Sequence, residues 1–240
     1  MNTPTFPRES IETLFLDAGN TLIHMNHELV LEGLAEVGLT PELEALREAE
    51  ARARVPLSEF VGGERSTEGT DTRLFWIEKT LLELDRSIDP SEYTAGITAW
   101  VERPSVWERL WSWVPEFVPR ALDRLRDKGY RLVVVSNSDG SVADQLARAD
   151  LADRVDAIID SAIVGVEKPD PRIFDFAFEH TESAREACLH VGDIYHIDIV
   201  GARRAGVHAA LIDPYDAWGH ADAPRFRNIE ALEEQLPARG

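Results

Sequence analysis

Short runs of aliphatic and β-branched residues, each closed by a polar one, punctuate the chain at residues 13–16 (ending at Asp17), 131–136 (RLVVVS), 157–159, 189–191 and 209–212. Runs this short without strict alternation are the pattern of parallel strands buried on both faces. Between them, apolar positions recur with helical spacing at 119–128, 142–149, 171–179 and 197–205, the first stopped by Gly129 and the last by Gly206. Strand and helix alternate, which predicts an α/β fold with a doubly wound parallel sheet.

Residues 24–113 break the alternation. They offer amphipathic helical patterns at 28–37, 41–52, 72–84 and 91–101, with no convincing strand, and 61–70 (VGGERSTEGT) is their most loop-like stretch. The expected organisation is a core domain of residues 1–23 and 114–240, interrupted by an all-helical domain of residues 24–113.

Charge narrows the partners. The 240 residues carry 44 acidic against 25 basic side chains, a formal net charge of −19, so nucleic acid and anionic membrane would be repelled at long range. Residues 1–10 hold no apolar run of signal-peptide length and no later segment approaches a membrane span, from which a cytoplasmic location is expected. The single cysteine, Cys188, excludes an intrachain disulfide and any multi-cysteine metal site, and reads as a buried thiol.

Four short motifs fall at the expected carboxyl ends of strands: Asp17-Ala-Gly-Asn-Thr21, Ser136-Asn137, Glu167-Lys168-Pro169-Asp170-Pro171, and Gly192-Asp193-Ile-Tyr-His-Ile-Asp198. Each alone is the composition of an ordinary turn or helix cap. In this order, with a helical insert after the first, they resemble the haloacid dehalogenase (HAD) superfamily of aspartate-nucleophile hydrolases, most of them phosphatases. The resemblance covers residues 12–23 and 114–214, and makes the insert similar to that family's type-one helical cap. It implies that Asp17 is the nucleophile, that Ser136 and Asn137 bind the phosphoryl group, and that Lys168 neutralises charge. It also implies magnesium held by Asp17, the Gly19 carbonyl and Asp193, with Asp198 supporting a bound water. The expected substrate is a small phosphorylated molecule, hydrolysed through an aspartyl-phosphate.

One position departs from the pattern. Phosphatases of the superfamily carry a second aspartate two residues after the nucleophile, where this chain has Gly19. That aspartate is the general acid and base, a role typically worth about 10²- to 10⁴-fold. Halide leaves without a proton, so a 2-haloacid dehalogenase is the second reading, and a phosphate-binding regulatory protein of low turnover is a third. A Schiff-base role for Lys79, the only lysine of the insert, is weaker than that of a solvated helix lysine. His24, His27 and His196 read as loop histidines, His190 as a strand residue, and Trp100, Trp107, Trp111 and Trp113 as packing or a pocket wall.

Overall fold

The apolar run that begins at Thr13 is buried at every position and forms the strand from which the core grows. The computed structural model describes residues 5–62 and 65–239. In chain order its elements are β1 (Thr13–Leu16), β2 (His24–Met25), α1 (His27–Glu36), α2 (Leu43–Val61), α3 (Thr70–Leu84), α4 (Thr94–Val101), α5 (Pro104–Leu110), β3 (Trp111–Trp113) and α6 (Phe117–Asp127). There follow β4 (Arg131–Ser136), α7 (Val142–Arg148), β5 (Ala157–Asp160), α8 (Ser161–Val164), α9 (Arg172–Phe178), β6 (Cys188–Gly192), α10 (Val200–Arg204), β7 (His208–Ile212), β8 (Arg225–Phe226) and α11 (Ile229–Glu233). The chain divides into two compact units, one made of Met1–His24 with Val114–Gly240 and the other of Met25–Trp113.

The first unit holds a six-stranded parallel sheet in the order β5-β4-β1-β6-β7-β8. Strands run outward from β1 in one direction through β4 and β5, then in the other through β6, β7 and β8. The order therefore reverses between β1 and β6, and ligands of open α/β sheets bind beyond the carboxyl ends of the strands at such a switch point. Strand β1 pairs Leu16 with Val134 of β4 and with Val191 of β6. Phe15 packs against Phe174 and Phe178 of α9, with ring centroids 5.9 and 5.3 Å apart. Cys188 is buried as expected, and burial pushes its thiol up to about 12.

The second unit is built around Leu29, Leu34, Leu46, Leu81, Trp100 and Leu110. Burying each leucine contributes about 1.5–3 kcal/mol. Trp100 lies against α1 at Gly33, where a Cβ would come within 2.4 Å of the indole. Asn26 caps α1, its side chain accepting from the Leu29 N–H at 3.0 Å.

Two features differ from the sequence pattern. Helix α2 continues through Pro56 to Val61 instead of stopping near residue 52. Proline costs a helix one hydrogen bond and a steric clash, but here Leu57, Ser58 and Val61 beyond it are all buried, and that packing carries the helix on. The segment is not wholly helical, because β2 and β3 pair as a two-stranded ribbon at its ends. Strands of two and three residues are too short to show a period. Part of the loop-like stretch, residues 63–64, lies outside the described residues. Among the described residues no helix is long and apolar enough to cross a membrane.

Candidate active site

Because the sheet is parallel, the residues that end β1, β4 and β6 share one edge. Asp17 follows β1, and its N–H donates to the Val191 carbonyl of β6 at 2.8 Å, tying the first motif to the fourth. Ser136 is the last residue of β4 and is buried. Lys168 reaches the same edge from the loop before α9, with a side chain only 1% exposed. Its Nζ donates to Asp17 Oδ1 at 2.6 Å and to Asp198 Oδ1 at 2.7 Å.

The loop carrying Lys168 is held from two sides. Asn137 accepts from the Lys168 N–H at 2.7 Å and donates to its carbonyl at 2.9 Å, a two-point clamp on the lysine backbone. The Asn137 side chain thus helps set the position of Lys168. Gly201 of α10 lets the next residue close in, since a Cβ there would stand 3.1 Å from the Pro169 Cα.

Asp198 is equally engaged. Beside Lys168, its Oδ1 accepts from His190 Nε2 at 2.9 Å, and its Oδ2 accepts from the Ile194 N–H at 2.9 Å. The acceptor-only carboxylate assigns the proton to Nε2 of a neutral ring. Gly192 makes room for this carboxyl group, because a Cβ would lie 2.2 Å from Asp198 Cγ. The residue sits on a five-residue π-helical turn, Tyr195–Ile199, that leads into α10.

One ammonium serves two carboxylates. Asp17, Asp193 and Asp198 are all buried, and Lys168 is shared between Asp17 and Asp198. Burial is the largest influence on Asp17 and, with the Asp198 charge added, outweighs Lys168, so its pKa rises from 3.8 to about 6. Asp198 is buried too, yet Lys168 and His190 hold it well below the usual carboxylate range. Burial opposes the charge on Lys168, but Asp17 and Asp198 prevail and keep it firmly protonated. His190 is pushed below its usual 6.5 by burial first and then by the lysine. An aspartate whose pKa is raised by burial at a strand end is a candidate for chemistry.

Two neighbours of this cluster were not singled out by the sequence. His190 reads there as an ordinary strand residue, its one signal being a polar side chain in an apolar run. Asn20 donates from Nδ2 to Asp193 Oδ2 at 3.3 Å, and its signal was a residue other than glycine in a tight turn. The other candidates make contacts within their own units. Lys79 of α3 pairs with Glu78 at 2.9 Å. His27 is buried in the helical unit beside Glu50, and His196 packs edge-on against Tyr195. Trp111 stacks on Trp76, Arg73 covers Trp107 and Arg47 covers Trp113, so the tryptophans serve packing within the helical unit. Among the described residues no three His, Cys, Asp or Glu side chains stand ready as a metal cluster, in keeping with the commitment of Asp198 to lysine and histidine.

Comparison with known proteins matches residues 11–206 to the family model described as haloacid dehalogenase-like hydrolase. The chain is 27% identical over 242 residues to haloacid dehalogenase-like hydrolase domain-containing protein 3 of Bos taurus, covering 96% of this chain and 94% of that one. It is 26% identical over 207 residues to ribulose-1,5-bisphosphate 5-phosphatase of Halopiger xanaduensis, covering 85% and 82%. Its fold matches a magnesium-bound HAD-hydrolase of Bacillus subtilis with a TM-score of 0.61 at 16% identity, over 94% of this chain and 98% of that one.

Proposed function

The chain belongs to the haloacid dehalogenase-like hydrolases, and we propose that it is a magnesium-dependent phosphatase acting on a small phosphorylated metabolite, with the helical unit as its cap. The observation that carries this reading is the buried Asp17, held by the Lys168 ammonium at 2.6 Å at the switch point of the sheet. Asp17 attacks phosphorus through its other oxygen while the bond from phosphorus to the leaving-group oxygen breaks and that group departs as an oxyanion. Water then attacks the aspartyl-phosphate at phosphorus, the P–O bond to Asp17 breaks, and the carboxylate and inorganic phosphate are released with a proton passing to solvent. Lys168 holds Oδ1 of Asp17 and offsets charge on the transferring group, and the Ser136 hydroxyl at the end of β4 would donate to one of that group's oxygens. Asp198 and His190 fix the lysine from behind. The phosphatase name of the Halopiger relative supports the same substrate class.

The donor set fits magnesium. Asp17 and Asp198 share one lysine and Asp193 is buried nearby at the end of β6, an all-oxygen carboxylate set of the kind magnesium prefers, with several retained waters. Asp17, the Gly19 carbonyl and Asp193 would hold it, and Asp198 stands behind them as the anchor of Lys168. Bound there, the cation would offset phosphoryl charge beside the nucleophile.

Gly19 sets the selectivity, since no carboxyl group stands where the family's general acid would be. Substrates whose leaving groups need little protonation should therefore be preferred. Acetyl phosphate, an aryl phosphate, a sugar phosphate and 2-chloropropionate assayed side by side with and without Mg²⁺ test the proposal. The expected result is Mg²⁺-dependent turnover of the first two well above the third. Gly19→Asp should then raise sugar-phosphate turnover selectively, by up to about 10²-fold. Chloride release without metal would instead establish the dehalogenase reading, and tight phosphate binding without any turnover the regulatory one.

A further inference from the structure

Asn20 occupies a position whose backbone favours a different residue. Its φ is +51°, in the left-handed region where glycine is at ease and other residues are strained, asparagine least among them. Glycine would satisfy the turn, so a side chain here calls for a reason beyond the turn itself. Asn20 is 3% exposed, and its Nδ2 faces Asp193 Oδ2 at 3.3 Å. The reverse orientation would set two oxygens against each other, so the amide direction follows from the partner. The Asn20 Oδ1 is then left buried with no hydrogen-bond partner among the described residues, and so is the Thr21 hydroxyl next to it. Unpaired polar atoms are costly to bury and mark places where water or an ion belongs. Asn20 lies three residues from Asp17 and touches Asp193, the two carboxylates that flank the switch point.

We propose that Asn20 is a positioning residue for the metal site: its amide N–H orients the Asp193 carboxylate, and its side-chain oxygen accepts from a water that hydrates the cation. This rests on the assignment of magnesium to Asp17 and Asp193 made above. Magnesium gives up its waters reluctantly, so a buried site for it must supply acceptors for those waters as well as ligands for the ion. Partners of metal-binding carboxylates are worth about 10- to 100-fold in metal affinity.

Calorimetric titration of MgCl₂ into the full chain tests this without any turnover. Asn20→Gly should weaken magnesium binding about 10- to 100-fold, while the metal-free melting temperature stays the same or rises because glycine relaxes the +51° turn. A merely structural asparagine would give the opposite pair of results. Asn20→Asp keeps the volume but replaces the donor with a charge beside Asp193. It should lower the metal-free melting temperature and enlarge the rise produced by saturating MgCl₂. Asp193→Asn is the control and should lose binding. If Asp193→Asn loses magnesium while Asn20→Gly binds as wild type does, or Asn20→Asp shows no enlarged rise, the role of Asn20 is overturned and the metal assignment stands. If the wild-type chain itself takes up no magnesium, the assignment falls and the role of Asn20 with it.

Discussion

Two clusters of buried charge lie in different units of this chain, and their carboxylates move in opposite directions. In the helical unit, Glu50 is 2% exposed and is gripped by Arg54 through both oxygens, with His27 Nε2 3.7 Å away. Burial alone would raise its pKa, but Arg54 and His27 overcome it and bring Glu50 down to about 2. In the core unit, Asp17 receives one lysine that it must share with Asp198, and rises to about 6. Desolvation is the largest single influence in both places. What differs is the grip of the positive partner: a guanidinium holds both oxygens of Glu50, whereas Asp17 receives through one oxygen an ammonium that it shares with Asp198. The first cluster is closed and structural. The second leaves Asp17 with a raised pKa, which the cation proposed above would lower by stabilising the ionised carboxylate.

The sharpest way to break that contrast is to remove a carboxylate from each side. Asp17→Asn takes away the nucleophile with little change in volume, and hydrolysis should fall by about 10⁴-fold or more, as expected for the loss of a covalent catalyst. The metal-free variant should nevertheless be at least as stable as wild type at pH 7, because the charge removed is one the fold resists. Chemical denaturation with and without Mg²⁺ measures both the stability and its dependence on the ion. A variant that keeps its turnover would show that another group attacks. One that unfolds readily would show that Asp17 is paired as Glu50 is.

Glu50→Gln should behave in the reverse manner. It leaves Arg54 buried without its counter-ion, and breaking a buried pair from one side costs about 3–5 kcal/mol. Global or partial unfolding of the helical unit should appear at lower denaturant, while Mg²⁺ binding to the folded protein is unchanged. A loss below about 1 kcal/mol, the scale of an exposed pair, would mean that the cluster is open to water.

How much of this contrast the sequence carries follows from the signals each region emits. The core strands are buried on both faces, so they read as unbroken apolar runs, and the helices between them end at Gly129 and Gly206, whose φ values of +88° and +75° few other residues accept. The motifs fall at strand ends, and Asp17, Ser136, Lys168 and Asp193 are singled out by the family resemblance that the four motifs carry together in this order, since each motif alone reads as a turn or cap. What could not be read is which atoms satisfy which. Asp198 bonds Lys168 and His190 through contacts spanning 30 and 8 residues, and no local pattern encodes such a pairing. Asn137 is legible as a polar residue after a strand, but not as a clamp on the Lys168 backbone. The Glu50–Arg54 pair is a spacing that usually denotes a solvated helix face. Only the tertiary structure shows that face to be buried, as it shows Leu57 and Val61 carrying α2 past Pro56.

The smallest effect, and the one that isolates the two electrostatic states, is the pH dependence of stability. For Glu50 the folded pKa lies below the ordinary value of 4.5, so it contributes stability above that value and loses it as pH falls toward 2. For Asp17 the folded pKa lies above its ordinary 3.8, so the folded metal-free protein binds a proton more tightly than the unfolded chain. Its contribution is full below pH 3.8 and is lost as pH rises through about 6, an effect of about 3 kcal/mol. His190 runs against it, since the unfolded imidazole takes up a proton below 6.5 that the buried ring refuses. The difference between wild type and Asp17→Asn removes that common background. Between pH 4 and 7, wild type should lose stability relative to the variant as pH rises. Saturating Mg²⁺ should reverse the slope, because the ion binds the ionised carboxylate and stabilises more as Asp17 deprotonates. Thermal melts of both proteins at several pH values, with and without the ion, measure the slope. Parallel curves would place Asp17 in the same closed state as Glu50 and remove the raised pKa that sets the two clusters apart.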